Sequence, residues 1–141
     1  LDQVTLDIIV STGIVSNMMT TVNDYYYNST LAHCVYYGST VTEHGHHHLH
    51  GEVVSLGVLC LLEHAGQFEE EDRLMQFNDS IGLPVCFDDV EIKESEFDKM
   101  ADKFMQTTEW AHMPQGVTRE NFLESMRREN AKGRAFKAAK K

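Results

Sequence analysis

Apolar positions along this chain recur at helical rather than strand spacing. Leu1, Val4, Ile8 and Ile9 step by three and four residues and predict a helix over 1–12, bent or stopped by Gly13. Positions 23–30, with Asp24, Tyr25, Tyr26, Tyr27, Asn28 and Ser29, are turn-rich and read as a loop. A short helix over 31–37 is expected to close on Gly38 as its C-cap, with a loop over 39–46. The densest apolar run, 53–62, has Val53, Val54, Leu56, Val58, Leu59, Leu61 and Leu62 on nearly every face. It predicts a core helix that starts between His47 and Gly51, runs to about Ala65 and stops at Gly66.

The second half reads as one amphipathic helix after another. Leu74, Phe77 and Ile81 mark a helix over 69–80, ended by Gly82-Leu83-Pro84. A second begins with the cap-like Ser95-x-x-Asp98 and carries Phe97, Met100, Ala101, Phe104 and Met105 over 95–107. Thr118 is expected to cap the last helix, which carries Phe122, Leu123 and Met126; 113–116 is the one candidate hinge. Period-two alternation is nearly absent, as are Asn-Gly and Asp-Gly hairpin signals. The expected fold is all-α, a helical bundle, with residues 1–141 forming a single domain.

Composition narrows the class. A chain of 141 residues with 42% hydrophobic content can bury one real core. No apolar run reaches the roughly 18 residues that span a bilayer, so no membrane partner is expected. No basic-then-apolar leader opens the sequence, and its start at Leu1 rather than Met reads as a domain or a processed chain. Cys34, Cys60 and Cys86 are odd in number and widely spaced, which suits reduced, buried thiols in a cytoplasmic protein. The net charge of −10 argues against nucleic acid as a partner. Positions 127–141 nevertheless hold seven basic residues and one acidic, a net of +6, leaving −16 for the rest. Those cations are read as favouring a helix C-terminus and keeping a frayed end in solution.

The chemistry sits in the histidines. Five of the eight, His44, His46, His47, His48 and His50, fall within seven positions before the apolar helix, and His33 lies just upstream. Neutral imidazole is a common ligand for zinc and related ions. A loop between two helices can bring His33 and His50 face to face, supplying half of a tetrahedral site. Glu43, Glu52 and Glu63 are local candidates for a carboxylate ligand, and none has a decisive spacing. Glu52 is expected to serve the first turn of its helix rather than the metal. Cys34, next to His33, points about 100° away on a helix and is disfavoured as a ligand of the same ion.

Two motifs carry a resemblance. Ala32-His33-Cys34-Val35-Tyr36-Tyr37-Gly38-Ser39-Thr40 is followed by His46-His47-His48-Leu49-His50-Gly51-Glu52-Val53-Val54. In order and interval this resembles the glycerol dehydrogenases, within the iron-containing alcohol dehydrogenase and dehydroquinate synthase-like superfamily. The stretch 11–17 and the Gly82-Leu83-Pro84 turn fit the same pattern, which thins after residue 110. The resemblance implies the helical C-terminal domain of that fold, with His33 and His50 as metal ligands. It places His46 and His47 beside the site as pocket or proton-relay residues; as plain loop or capping residues they need no such role. It implies zinc, with iron or manganese possible on the same donors, and a nicotinamide cofactor, NAD, that takes hydride from a small polyol such as glycerol.

The departures from that pattern matter equally. The family's metal-binding aspartate lies well upstream of the first histidine, and neither Asp2, Asp7 nor Asp24 stands in its context. No Gly-rich turn follows a strand, so no cofactor-binding residue is expected in this chain. An N-terminal NAD-binding half is the expected partner, and the full enzyme is expected to be a homo-oligomer. The chain alone is expected to be inactive. The alternatives are a non-catalytic metal-binding or interaction module of the same descent, or a related alcohol or glycerol-phosphate dehydrogenase.

Overall fold

The computed structural model describes residues 2–21, 30–113 and 115–140, with side chains of the first helix placed through residue 14. The expected loop at 23–30, with its three tyrosines, lies outside the described residues save for Thr30. Among the described residues seven α-helices follow in order: α1 (Asp2–Thr21), α2 (Leu31–Ser39), α3 (His50–His64), α4 (Phe68–Ser80), α5 (Phe97–Phe104), α6 (Thr108–Ala111) and α7 (Arg119–Ala138). Two 3-10 turns, Phe87–Val90 and Glu94–Glu96, join α4 to α5. All regular structure among the described residues is helical, as the periodicity predicts.

Helix α3 is the hub. It packs most extensively on α2 and also on α4 and α7. Its Val53, Leu56, Leu59 and Cys60 are buried. They meet Phe87, Phe97, Met100, Phe104, Phe122 and Met126 in one core. Val54, Val58, Leu61 and Leu62 are only half-covered, so the helix is central without being sealed on every side. The contact with α2 is unusually close. A Cβ on Gly57 would lie 2.4 Å from the carbonyl oxygen of Ala32.

Several expected boundaries shift for physical reasons. Helix α2 does not end at Gly38; it continues to Ser39 with Thr40 as C-cap. Gly38 instead faces Met100 of α5, whose Cβ would be 3.0 Å from an added methyl. Helix α1 runs through Gly13, and its described side chains, Val4, Ile8 and Ile9 included, are exposed. Helix α3 starts at His50 because the Glu52 carboxylate accepts the Leu49 N–H at 2.8 Å. Gly66 stops the same helix, with φ of +68°. Ser95 is not a cap: the Glu96 carboxylate turns back instead, accepting Lys93 N–H at 3.0 Å and Glu43 N–H at 2.9 Å. Thr118 caps α7 through mutual hydrogen bonds with Asn121.

The buried face of α4 is not its apolar stripe. Phe77 and Ile81 are exposed, whereas Glu71, Met75 and Asn78 are buried. These three follow i, i+4, i+7 spacing, and a cation explains the choice. Lys132 of α7 reaches the Glu71 carboxylate at 2.7 Å. Its neighbours behave alike. Arg128 bonds Glu63 at 2.5 Å, Arg134 bonds Asp88 at 2.6 Å, and Lys140 reaches Asp79 at 2.5 Å. Lys137 pairs with Asp89. The basic tail is therefore spent on the acidic surface of the same chain, which corrects its reading as a frayed, solubilising end.

Glu129 lies beneath this layer, fully buried, with Oε1 lacking a hydrogen-bond partner. Burial pushes its carboxyl well above the usual range, and the neighbouring Glu71 and Glu63 push the same way. Glu71 is raised by burial against the pull of Lys132.

Two outcomes follow from this packing. Gly57→Ala is expected to lower stability by about 1–3 kcal/mol through overpacking. Gly51→Ala, whose Cβ would meet nothing within 4 Å, should hold or raise the melting temperature. Thermal unfolding followed by circular dichroism separates the two. Glu129 keeps its proton when folded and loses it when unfolded, so native stability falls as pH rises above the unfolded carboxyl pKa. Glu129→Gln removes that loss. Its advantage over the parent chain in denaturant unfolding should grow with pH by at most about 1.4 kcal/mol per unit. A pH-independent difference would contradict the buried, protonated carboxyl.

Candidate metal centre

Helix packing brings the two motif histidines together. His33 follows Ala32, the residue against Gly57, and His50 is the first residue of α3. Their ring centroids lie 5.6 Å apart with planes tilted 47°. A zinc ion about 2 Å from one nitrogen of each ring, with tetrahedral angles, holds two centroids roughly 5 Å apart. The centroid spacing of the pair is compatible with one shared ion. His33 Nδ1 is buried and has no hydrogen-bond partner, as an unused ligand atom would be. Tyr36, one helical turn after His33, sets its ring edge-on to His50 at 4.3 Å and fixes that imidazole's plane.

The electrostatics favour neutral imidazole. Burial lowers the His33 pKa, the facing His50 lowers it further, and Glu109 of α6 opposes both. Glu109 also hydrogen-bonds Tyr37, whose hydroxyl is held above its ordinary range chiefly by burial. Glu109 is thus a carboxylate close enough to act on both His33 and Tyr37. It lies far along the chain from both histidines, and nothing in its local sequence singles it out.

The other candidates go elsewhere. Cys34 is fully buried among core side chains, and burial pushes its thiol up to about 12, so a thiolate ligand is not at hand. Glu43 pairs with Lys93 at 3.1 Å, Glu63 with Arg128, and Glu52 caps α3 as expected. Asp2 and Asp7 lie on the exposed α1, and Asp24 falls outside the described residues. His46 and His47 are exposed. His47 places its ring 5.3 Å from that of His44. Among the described residues, one group of three donors has all its ligand atoms within 4.8 Å of one another: His44, His47 and Glu91. Spacing alone does not find it, because Glu91 joins from beyond α4.

The chain is similar to known proteins over most of its own length. The chain is 30% identical over 113 residues to the glycerol dehydrogenase of Thermotoga maritima, covering 75% of this chain and 30% of that one. It is 36% identical over 93 residues to the glycerol dehydrogenase of Escherichia coli, covering 62% and 25%. The chain is a relative of the glycerol dehydrogenases. In structure it superposes on a probable glycerol dehydrogenase from Sinorhizobium meliloti with a TM-score of 0.68 and 27% identity, over 74% of this chain and 31% of that one. The chain spans less than a third of the length of these glycerol dehydrogenases. No family model matches it. Its all-helical fold agrees with the C-terminal helical domain that the motifs imply. No helix among the described residues is long and apolar enough to cross a membrane.

The burial of Cys34 has a measurable consequence. A thiol held up to about 12 is only about one part in ten thousand thiolate at pH 8, against roughly a quarter for an ordinary cysteine. Labelling of Cys34 by a disulfide reagent, located by mass spectrometry, should be at least about 100-fold slower in the native chain than in denaturant. Rapid native labelling would contradict the buried position.

Proposed function

We propose that this chain is the metal-holding helical part of an NAD-dependent dehydrogenase that oxidises glycerol or a similar small polyol. The observation that carries the reading is the approach of His33 and His50 to 5.6 Å across the α2–α3 interface, within motifs that resemble those of glycerol dehydrogenases, to which the chain is 30% identical. His33 and His50 would hold a divalent ion, zinc on this donor set, with a third ligand and the nicotinamide supplied from outside the described residues. When bound, such an ion supplies Lewis-acid activation of the alcohol.

The chain's own groups prepare that role. Burial keeps the His33 imidazole neutral and its Nδ1 free. Tyr36 holds the exposed His50 ring in place. The Glu52 carboxylate caps the first turn of α3 and so fixes the backbone on which His50 stands. His46 and His47, exposed in the preceding loop, would line the approach to the ion from the solvent side.

Zinc calorimetry on the full chain tests the assignment. His33→Ala and His50→Ala are each expected to weaken one class of site at least tenfold, with far-UV circular dichroism unchanged. Isotherms identical to the parent in both variants would remove the site.

A further inference from the structure

We propose that His44, His47 and Glu91 form a second divalent-metal site, of the zinc class, that pins the histidine-rich loop to the turn before α5. None of its donors is shared with the His33–His50 pair.

The geometry is assembled from two segments. A backbone hydrogen bond from His47 N–H to the His44 carbonyl, 2.9 Å, turns the loop so that the two imidazoles lie together. Their centroids are 5.3 Å apart, again the spacing that one tetrahedral ion imposes on two rings. Glu91 joins from the end of the first 3-10 turn. Its ligand oxygen and the two imidazole nitrogens all fall within 4.8 Å of one another.

Three further observations point to a ligand rather than to chance proximity. His44 Nδ1 is buried and without a hydrogen-bond partner. Glu91 is the one non-glycine residue with positive φ, 55°, among those described, a conformation that is uncommon outside glycine. His48 Nε2, buried and likewise without a hydrogen-bond partner, lies 3.4 Å from the Glu91 carboxylate. The same two segments are already tied beside this point, by the Lys93–Glu43 ion pair at 3.1 Å and by Glu43 N–H donating to Glu96. An ion here completes an existing seam.

The donor set selects the ion. Two neutral imidazoles and one carboxylate suit zinc and its late first-row neighbours, and disfavour magnesium and calcium, which take oxygen ligands. A fourth position remains for water. The site immediately precedes His50, so an ion there would order the backbone that carries that histidine.

The test uses zinc as the probe on the full chain, with a His33→Ala/His50→Ala double variant as background. That background is expected to keep one zinc equivalent by calorimetry and to give the visible spectrum of tetrahedral cobalt when cobalt is substituted. Adding Glu91→Gln, or His44→Ala, should weaken this binding at least tenfold. Glu91 is exposed, so Glu91→Gln carries the test even where His44→Ala disturbs the fold. The proposal is overturned if the background variant, folded by far-UV circular dichroism, binds no zinc. It is equally overturned if Glu91→Gln leaves the residual binding intact. Loss of binding confined to His33→Ala and His50→Ala in the parent chain would support the family-type site alone.

Discussion

The missing methyl group at residue 57 sets the distance between α2 and α3. With only a hydrogen at Gly57, the helix backbones approach until its position lies against the Ala32 carbonyl. That approach decides the rest. His33 is the next residue along α2, and His50 stands two turns before Gly57 on α3. Their 5.6 Å separation is therefore a consequence of backbone contact rather than of any attraction between imidazoles, which repel when both are charged. The second face of α2 uses the same device: Gly38 lets Met100 of α5 close in. A helix of nine residues thus holds two neighbours at short range. Its side chains are left free for chemistry on the side where Tyr36 and His33 project.

The far side of α3 is held by charge. The chain carries a net −10, yet its last helix is basic, and those cations settle on carboxylates of α3, α4 and the 3-10 turn. The exposed pairs among them, such as Arg134–Asp88, each contribute little. The arrangement matters more as a constraint on register. Lys132 meets Glu71 only if α4 presents Glu71 and Met75 inward, which leaves Phe77 outside. Glu129 then lies beneath with its carboxyl pKa pushed well up by burial, so the interface of α3, α4 and α7 is costly to ionise. His33 and His50 lie at the opposite end of α3.

How much of this the sequence tells depends on the range of the interaction. The all-helical class, the Thr118 cap, the Gly66 stop and the service of Glu52 in the first turn of α3 are local, and they are readable from a few neighbouring residues. The approach of His33 to His50 is legible only through two separated motifs whose order and interval resemble those of the glycerol dehydrogenases. The errors share one origin. Gly38 looks like a terminator because helix-ending glycines are common, but its reason is a partner helix far along the chain. Leu74, Phe77 and Ile81 look like a core stripe because hydrophobic spacing ignores a buried ion pair. Glu109 and Glu91 carry no local signal at all, and only the fold brings them to the histidines.

The loop before α3 links the two histidine clusters mechanically. Glu91 touches His48, His48 Nδ1 lies 3.8 Å from Glu52, and Glu52 caps the Leu49 N–H immediately before His50. Each link is weak, but together they connect the turn before α5 to the first residue of α3. Fixing His44, His47 and Glu91 on one ion would remove conformational freedom from the loop that would otherwise be lost were His50 to bind the ion proposed for it. The second ion then binds to a loop already ordered, which makes the coupling between the sites positive and reciprocal. Charge opposes this, because each ion repels the other. That repulsion is damped by the solvent exposure of His47, Glu91 and His50 and by screening in salt, whereas the ordering term is not. The net coupling should therefore strengthen as ionic strength rises, opposite to the trend expected of two ions linked through their charges alone.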